Sequence, residues 1–405
     1  MELKLSKGIM ARLYVLAFMA GTSVGIWYFL PYFIIDLKGG MIEVGLISTF
    51  PYLVDAIIQQ QVGTVIEEMK ATKDLLVLGF ILSSFFAIPL SFSSTALVAI
   101  LLATLLYLFS SITESWGVAN SIYMANLTPA KSRARIMSVY SSSCFLGNIL
   151  GSFLAGYLAP ISWHIVFLIF AGMNVASGIF LHYFLPDETL KGTTYWAIIR
   201  SLFDFRKFLR VLEKLPALIK EGPKEYVHFC IAVSIRSIGV SMVSPITAVY
   251  LAEVLHASKP VIAVLTSVNT LARIILSPPM GWIADRWGRK KVFILGLIMM
   301  MVYPIIFVSA QDVNLLYPAY LMMGLGWACS QATWLAWQME LIPRQKGILI
   351  GVLQFMNNIG WATGPSIGGF LGQYAGIWWG VGLTTLVESI GLLLLMKVPE
   401  RASNV

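Results

Sequence analysis

Runs of eighteen or more mostly apolar residues recur along this whole chain, and each is long enough to cross a bilayer core of about 30 Å at about 1.5 Å per residue. With 58% hydrophobic and 12% charged side chains in 405 residues, and a mean hydropathy of +0.80, a soluble domain is excluded. Length and pattern predict about twelve spanning helices, near 10–35, 41–66, 73–92, 95–125, 132–159, 161–184, 226–254, 259–284, 290–309, 313–339, 345–373 and 375–397.

The net charge of +8 does not point to nucleic acid. Of 28 Lys and Arg residues, 24 fall in alternate loops and the termini. Lys38 and Lys259 lie in the opposite loops, and Arg236 and Arg273 lie within helices. That bias predicts a multi-pass protein of the cell membrane with both termini cytoplasmic. The first apolar run, after Lys4, Lys7 and Arg12, is too long for a signal-peptide core and is kept as the first helix. Cys144, Cys230 and Cys329 fall inside predicted helices and imply no disulfide scaffold, and no histidine has metal-ligand spacing. No Gly-x4-Gly-Lys-Ser/Thr loop occurs, which argues against an ATP-driven pump. No nucleophile–base constellation emerges either, so neither an enzyme activity nor a cofactor is expected.

A shift of about 214 to 218 residues brings the two halves into register. Pro129 falls on Pro343 and Gly63 on Gly281, while Gly147, Gly151 and Gly156 fall on Gly360, Gly364 and Gly369. The glycine sets predict helix faces that a neighbouring backbone approaches closely. The expected organisation is an all-α bundle at 1–184, a linker at 185–225 and a second bundle at 226–405. Within the linker, Ile198, Leu202, Phe205, Leu209 and Leu212 recur at helical spacing with Arg200, Asp204, Lys207 and Lys214 on another face. That is the pattern of a helix lying on a membrane surface or of an amphipathic tether.

Between the eighth and ninth predicted helices stands Gly281-Trp-Ile-Ala-Asp285-Arg286-Trp-Gly288-Arg289-Lys290-Lys291. Its spacing resembles the signature loop of the major facilitator superfamily of secondary transporters, and the six-plus-six parallel repeat resembles that fold over essentially the whole chain. The resemblance implies that this loop clasps the two halves on the cytoplasmic side, with Arg133, Arg135 and Glu340 as candidate partners. The first-half counterpart, Gly63-Thr-Val-Ile-Glu67-Glu68-Met-Lys70-Ala-Thr-Lys73, keeps the glycine and an acid but lacks the arginines and the second glycine. Gly360-x3-Gly364-Pro365-x2-Gly368-Gly369 is similar to the glycine-proline motif of drug antiporters, which those proteins carry in the fifth helix rather than the eleventh.

Ionisable residues inside the bilayer cost about 2.5 to 3.5 kcal/mol each and mark candidate sites. Asp55, Glu114, Arg236 and Arg273 are the candidates for proton coupling or solute charge, and Glu388 is a fifth intramembrane charge. Asp55 and Arg273 occupy equivalent positions of the repeat, where they bridge, serve separately, or fix packing. The resemblance implies that the first, fourth, seventh and tenth helices line a central cavity. Trp27, Tyr28 and Tyr32, with Thr113, Gly117 and Asn120 matched to Trp327, Gln331 and Trp334, are then the solute-contact candidates. Aromatics with scattered amides suit amphiphilic or cationic solutes. The expected function is a monomeric secondary transporter that exports amphiphilic compounds in exchange for protons, within membrane lipid and without nucleic acid. Uptake or exchange of an organic anion clamped by Arg236 and Arg273, lysolipid translocation, and a non-transporting receptor or scaffold are the alternatives.

Overall fold

The computed structural model describes residues 7–114, 117–128, 133–186, 194–204, 206, 209, 213, 224–341 and 346–399, and within them every regular element is helical. In chain order these are α1 (Lys7–Trp27), α2 (Leu30–Asp36), α3 (Met41–Met69), α4 (Thr72–Ser91), α5 (Ala96–Ser110), α6 (Val118–Leu127), α7 (Arg133–Leu158) and α8 (Trp163–Phe184). The linker helix α9 (Tyr195–Leu202) follows. Then come α10 (Lys224–Val249), α11 (Lys259–Trp287), α12 (Arg289–Ser309), α13 (Leu316–Leu341), α14 (Lys346–Tyr374) and α15 (Ile377–Lys397). Among the described residues, nine segments are long and apolar enough to span a membrane. The other three expected spans are α7, α13 and α14, of 26, 26 and 29 residues. Phe85, Leu97, Leu168, Trp378 and Trp379 stand exposed on helix faces, as suits a surface solvated by lipid.

Two expected helices are broken. The first pauses between Trp27 and Leu30, where the Phe29 amide bonds the Ile26 carbonyl in a tightened turn. The fourth stops at Ser110, makes one 3-10 turn over Ser111–Thr113 and resumes at Val118. A broken backbone is tolerated at membrane depth only when side chains satisfy its freed groups. Gln59 of α3 does so twice, donating to the Ser111 carbonyl at 2.9 Å and accepting from the Val118 amide at 2.9 Å. Asn120 donates to the carbonyls of Thr113 and Glu114, both at 2.9 Å.

The chain forms two compact units, Met1–Leu30 with Ile57–Leu209, and Pro31–Ala56 with Arg210–Val405. Helix α3 is thus shared, its first half belonging to the second unit. The same packing device recurs in each unit. In the first, a Cβ at Gly147 or Gly151 of α7 would lie 2.0 Å from the Phe18 or Thr22 carbonyl oxygen of α1. In the second, a Cβ at Gly360 or Gly364 of α14 would lie 2.5 or 2.4 Å from the Ser234 or Ile238 carbonyl oxygen of α10. These helices touch backbone to backbone, which only glycine permits. The glycine-proline run of α14 also meets the start of α3: a Cβ at Gly45 would lie 2.4 Å from the Pro365 oxygen, and one at Gly369 would lie 2.5 Å from the Met41 oxygen.

A second repeated device was not visible as such in the sequence. Buried Lys73, at the start of α4, donates to the carbonyls of His182 and Leu185 at 2.7 and 2.8 Å, closing the C-terminus of α8. Lys290, at the start of α12, donates to the carbonyls of Met396 and Val398, both at 2.7 Å, closing α15. A cation there satisfies orphan carbonyls and meets the negative end of the helix dipole.

Candidate functional site

The second unit gathers most of the intramembrane charge. Arg236 on α10 is 4% exposed, and its guanidinium carbon lies 5.6 Å from the centre of the Trp327 ring on α13. Arg273 on α11 lies 5.2 Å from the centre of the same ring. Two guanidinium groups therefore attend one indole, and an aromatic face is what draws cations together in a medium that hydrates them poorly. Trp327 stacks on Trp361 of α14 at 5.8 Å and 21°, and Tyr52 of α3 leans on Trp361 at 5.8 Å.

Asp55 lies on α3 one turn beyond Tyr52 and meets α14 at Asn358, one turn before Trp361. It is 4% exposed and accepts from Asn358 Nδ2 at 2.7 Å. Behind Asn358 runs a polar chain: Asn357 Nδ2 donates to Asn358 Oδ1 at 3.5 Å, and Ser237 Oγ donates to Asn357 Oδ1 at 2.8 Å. Ser237 adjoins Arg236, so hydrogen bonds link the neighbourhood of the arginine to the acid. Arg236 also faces Glu388 of α15, the two interacting electrostatically across helices that approach closely at Gly239 and Gly391. Glu388 is 3% exposed; among the described residues its Oε2 has no hydrogen-bond partner, nor has Arg236 Nε, while Arg236 Nη2 contacts the Met300 sulfur at 3.4 Å. Sequence reasoning named Asp55, Arg236, Arg273 and Trp327 but missed Asn357, Asn358 and Trp361, although two adjacent asparagines inside an apolar run were a readable signal.

The first unit holds a smaller cluster. Trp27 packs on Tyr107 with ring centres 5.0 Å apart, and the Tyr107 hydroxyl donates to the Glu114 carboxylate. Glu114 sits at the break between α5 and α6, the kind of discontinuity at which transporters place functional groups. Asn120, which secures the break, accepts from Tyr140 Oη at 3.2 Å. Thr113 Oγ1 bonds the Ser110 carbonyl at 2.8 Å, and a Cβ at Gly117 would come within 3.0 Å of Gln59 Nε2. The structure thus gives Thr113, Gly117 and Asn120 roles in holding the broken backbone, and they share no continuous helical face.

The other candidates make different contacts. Trp334 packs on Phe229 at 5.8 Å and Phe293 at 6.1 Å and lies, half-buried, against the same apolar core as Trp327 and Trp361. Tyr32 is buried and interacts electrostatically with Tyr320. Tyr28 is exposed and Gln331 is half-buried on α13. The described residues contain no group of three or more potential metal ligands.

In the signature loop, Gly288 is the whole connection between α11 and α12 and adopts φ +102°, which favours glycine. Asp285 is 72% exposed and lies 3.8 Å from Arg289, while Arg286 stands 3.7 Å over the Trp282 ring. Gly281 lies half-buried one turn earlier on α11. In the first-half counterpart Lys70 takes the equivalent turn at φ +47°, a conformation costly for a residue with a Cβ. The side chains of Arg133, Arg135 and Glu340 lie outside the described residues.

Comparison with known proteins completes the assignment. The sequence profile of the Major Facilitator Superfamily matches residues 13–216 and 229–405. The chain is 25% identical over 170 residues to Multidrug resistance protein 1 of Bacillus subtilis (strain 168), covering 41% of this chain and 43% of that one. It is 28% identical over 139 residues to Quinolone resistance protein NorA of Staphylococcus aureus (strain Mu50 / ATCC 700699), covering 34% and 35%. These matches span less than half the length of either relative. In three dimensions it is similar to the nucleoside transporter NupG, with a TM-score of 0.74 at 12% identity over 96% of this chain and 100% of that one. The peptide transporter POT in complex with sulfate gives 0.73 at 16% identity over 96% and 93%. A twelve-helix architecture, an internal repeat and a profile match over nearly all its length together make this chain a member of the major facilitator superfamily, a membrane carrier and not an enzyme.

Proposed function

We propose that this carrier exports amphiphilic organic compounds in exchange for protons, with Trp327 and Trp361 as the solute platform and Asp55 as the proton carrier. One observation carries the reading: a buried carboxylate, held by Asn358 at 2.7 Å, joins a hydrogen-bond chain on the helix that carries one of two stacked indoles. Adding a proton to Asp55 replaces a charge-assisted bond by a neutral one, so proton and solute bias the same few contacts. Glu114, beside Tyr107 and Trp27, is the second acid in this scheme. The printed names of the Bacillus and Staphylococcus relatives, which speak of multidrug and quinolone resistance, point the same way. We place both termini in the cytoplasm and the protein in the cell membrane as a monomer, with residues 1–184 and 226–405 as the bundles that alternate access and 185–225 as their linker.

A second reading, exchange of an organic anion, is favoured by the two guanidinium groups at Trp327. Proton counting separates the two. In weakly buffered solution, tetraphenylphosphonium added to the purified protein should release protons by linkage, and Asp55→Asn should abolish the release. Proton uptake on adding naphthalene carboxylate, with none released by the cation, would replace export of amphiphilic cations by anion carriage.

A further inference from the structure

The first-half loop, from Gly63 to Lys73, lacks the arginines of the signature, and the structure shows what Glu68 within it and Asp74 just after it hold instead. Tyr195 Oη of α9 donates to Asp74 Oδ1 at 3.3 Å, and Ser201 Oγ to Glu68 Oε2 at 3.5 Å. Just past α9, the Asp204 carbonyl accepts from Gln61 Nε2 at 3.3 Å, and Phe203 meets Phe109 edge-on at 6.3 Å. Ile198 and Leu202 are 0% and 3% exposed, so one face of α9 is packed into the first unit. Thr194 caps its start, accepting from the Ala197 amide at 3.3 Å.

Among the described residues, the other side of α9 stands largely exposed. Trp196 is 77% exposed, Phe203 47% and Tyr195 41%, and Arg200 and Arg206 are exposed beside them. Between residues 191 and 210 the chain carries five basic residues, Lys191, Arg200, Arg206, Lys207 and Arg210, against the single acid Asp204. The position of this face is fixed by Lys73, which closes the end of α8 while its neighbour Asp74 holds Tyr195. At that end of α8, Tyr183 and Phe184 stand 74% and 49% exposed. The exposed aromatics of α9 are thus tied through Asp74 and Lys73 to the end of α8, where a spanning helix leaves the bilayer. Trp and Tyr favour that depth, and arginines beside them meet headgroup phosphates.

We propose that α9 is a membrane-surface anchor for anionic headgroups, positioned by the bonds of Tyr195 to Asp74 and of Ser201 to Glu68, with Trp196 and the exposed part of Phe203 seated at the acyl boundary and Arg200 and Arg206 on lipid phosphates. Glu68 and Asp74 thus hold the linker helix, and the linker helix meets the membrane. This inference is independent of the transported solute. Its sidedness follows from the basic bias that assigns this face of the membrane to the cytoplasm.

The test uses the full chain with Cys144, Cys230 and Cys329 replaced by alanine. A nitroxide is attached at Ala197→Cys, an exposed position that leaves Trp196 in place. The protein is reconstituted in vesicles of phosphatidylcholine, with or without phosphatidylglycerol. A second label at exposed Gln311→Cys reports a water-facing loop. The label at 197 should collide more with membrane-dissolved oxygen than with a water-soluble nickel chelate, and phosphatidylglycerol should strengthen that preference. Arg200→Gln should weaken the phosphatidylglycerol effect about fivefold, the value of about 1 kcal/mol per basic residue at an anionic surface. A label at 197 that behaves like the one at 311 in both vesicles would show a solvated strap and overturn the proposal. Shielding from both reagents would mean that protein covers this face, and would overturn it equally.

Discussion

Removing the ammonium of Lys73 while keeping its length, as in Lys73→Met, should destabilise the first unit more than the matching change at Lys290 destabilises the second. Lys73 is 5% exposed and makes two charge-assisted bonds of 2.7 and 2.8 Å to the end of α8. Hydrogen bonds to charged groups contribute about 1.5 to 3 kcal/mol each, and a partly buried cation at a helix C-terminus adds up to about 2 kcal/mol. Against these stands the relief of burying a charge, which costs several kcal/mol. Methionine keeps the apolar stem, so little packing is lost, and Arg12 still holds the Phe184 carbonyl at 3.0 Å. The net loss works out at about 2 to 4 kcal/mol. Lys290 is half-buried, so water replaces part of what it gives, and Lys290→Met should cost about 1 to 2 kcal/mol. The buried cysteines give the readout, because a thiol-reactive dye reaches Cys144 in α7 only as the first unit opens, and Cys230 or Cys329 only as the second does. Thermal unfolding in detergent, with the two unit reporters kept in separate proteins, should show the Cys144 midpoint falling further. Unchanged midpoints for Lys73→Met would refute the reasoning and mean that desolvation of the ammonium cancels its bonds.

Three further experiments probe backbone geometry and topology. Lys70→Gly should stabilise by up to about 1 kcal/mol in the same assay, because φ +47° costs a side chain about 1 to 2 kcal/mol while glycine loses about 0.5 to 1 in chain entropy; a fall in midpoint would contradict it. Gly364→Ala places a Cβ 2.4 Å from a backbone oxygen and should cost about 3 kcal/mol or abolish folding, whereas Gly172→Ala meets nothing within 4 Å and should gain about 0.5 to 1 kcal/mol. Equal midpoints for these two variants would remove the close-approach argument. Cysteines at Ser258 and at exposed Lys291 should react with an impermeant thiol reagent from opposite sides of the membrane, the first from outside, and labelling from one side would break the topology.

What the sequence disclosed follows from what hydropathy and spacing measure. Apolar runs of eighteen or more residues suit a spanning helix, so the helical segments were legible though not the breaks within two of them, and Gly147, Gly151, Gly360 and Gly364 announced their close approaches because no other residue permits them. The break at Glu114 was not legible, since it depends on Gln59, far away in the chain, to replace missing backbone bonds, and the pause at Phe29 is a local tightened turn with no glycine or proline at the turn itself to announce it. Lys73 and Lys290 looked like topology signals because nothing local shows that an ammonium reaches two carbonyls over 100 residues distant. Within the site, charges stood out against their apolar surroundings, whereas Asn357, Asn358 and Trp361 gained meaning only once α3 brought Tyr52 and Asp55 against α14.

Coupling of solute to protons rests above all on Asp55, and flux in proteoliposomes tests that directly. With the lumen made acidic and no other driving force, wild-type protein should concentrate tetraphenylphosphonium inside, and collapse of the pH difference should release it. Asp55→Asn should lose that accumulation while still exchanging labelled for unlabelled solute across the membrane, because solute contact at Trp327 and Trp361 survives the change. Full proton-driven accumulation by Asp55→Asn would contradict the central claim and leave Asp55 a packing partner of Asn358.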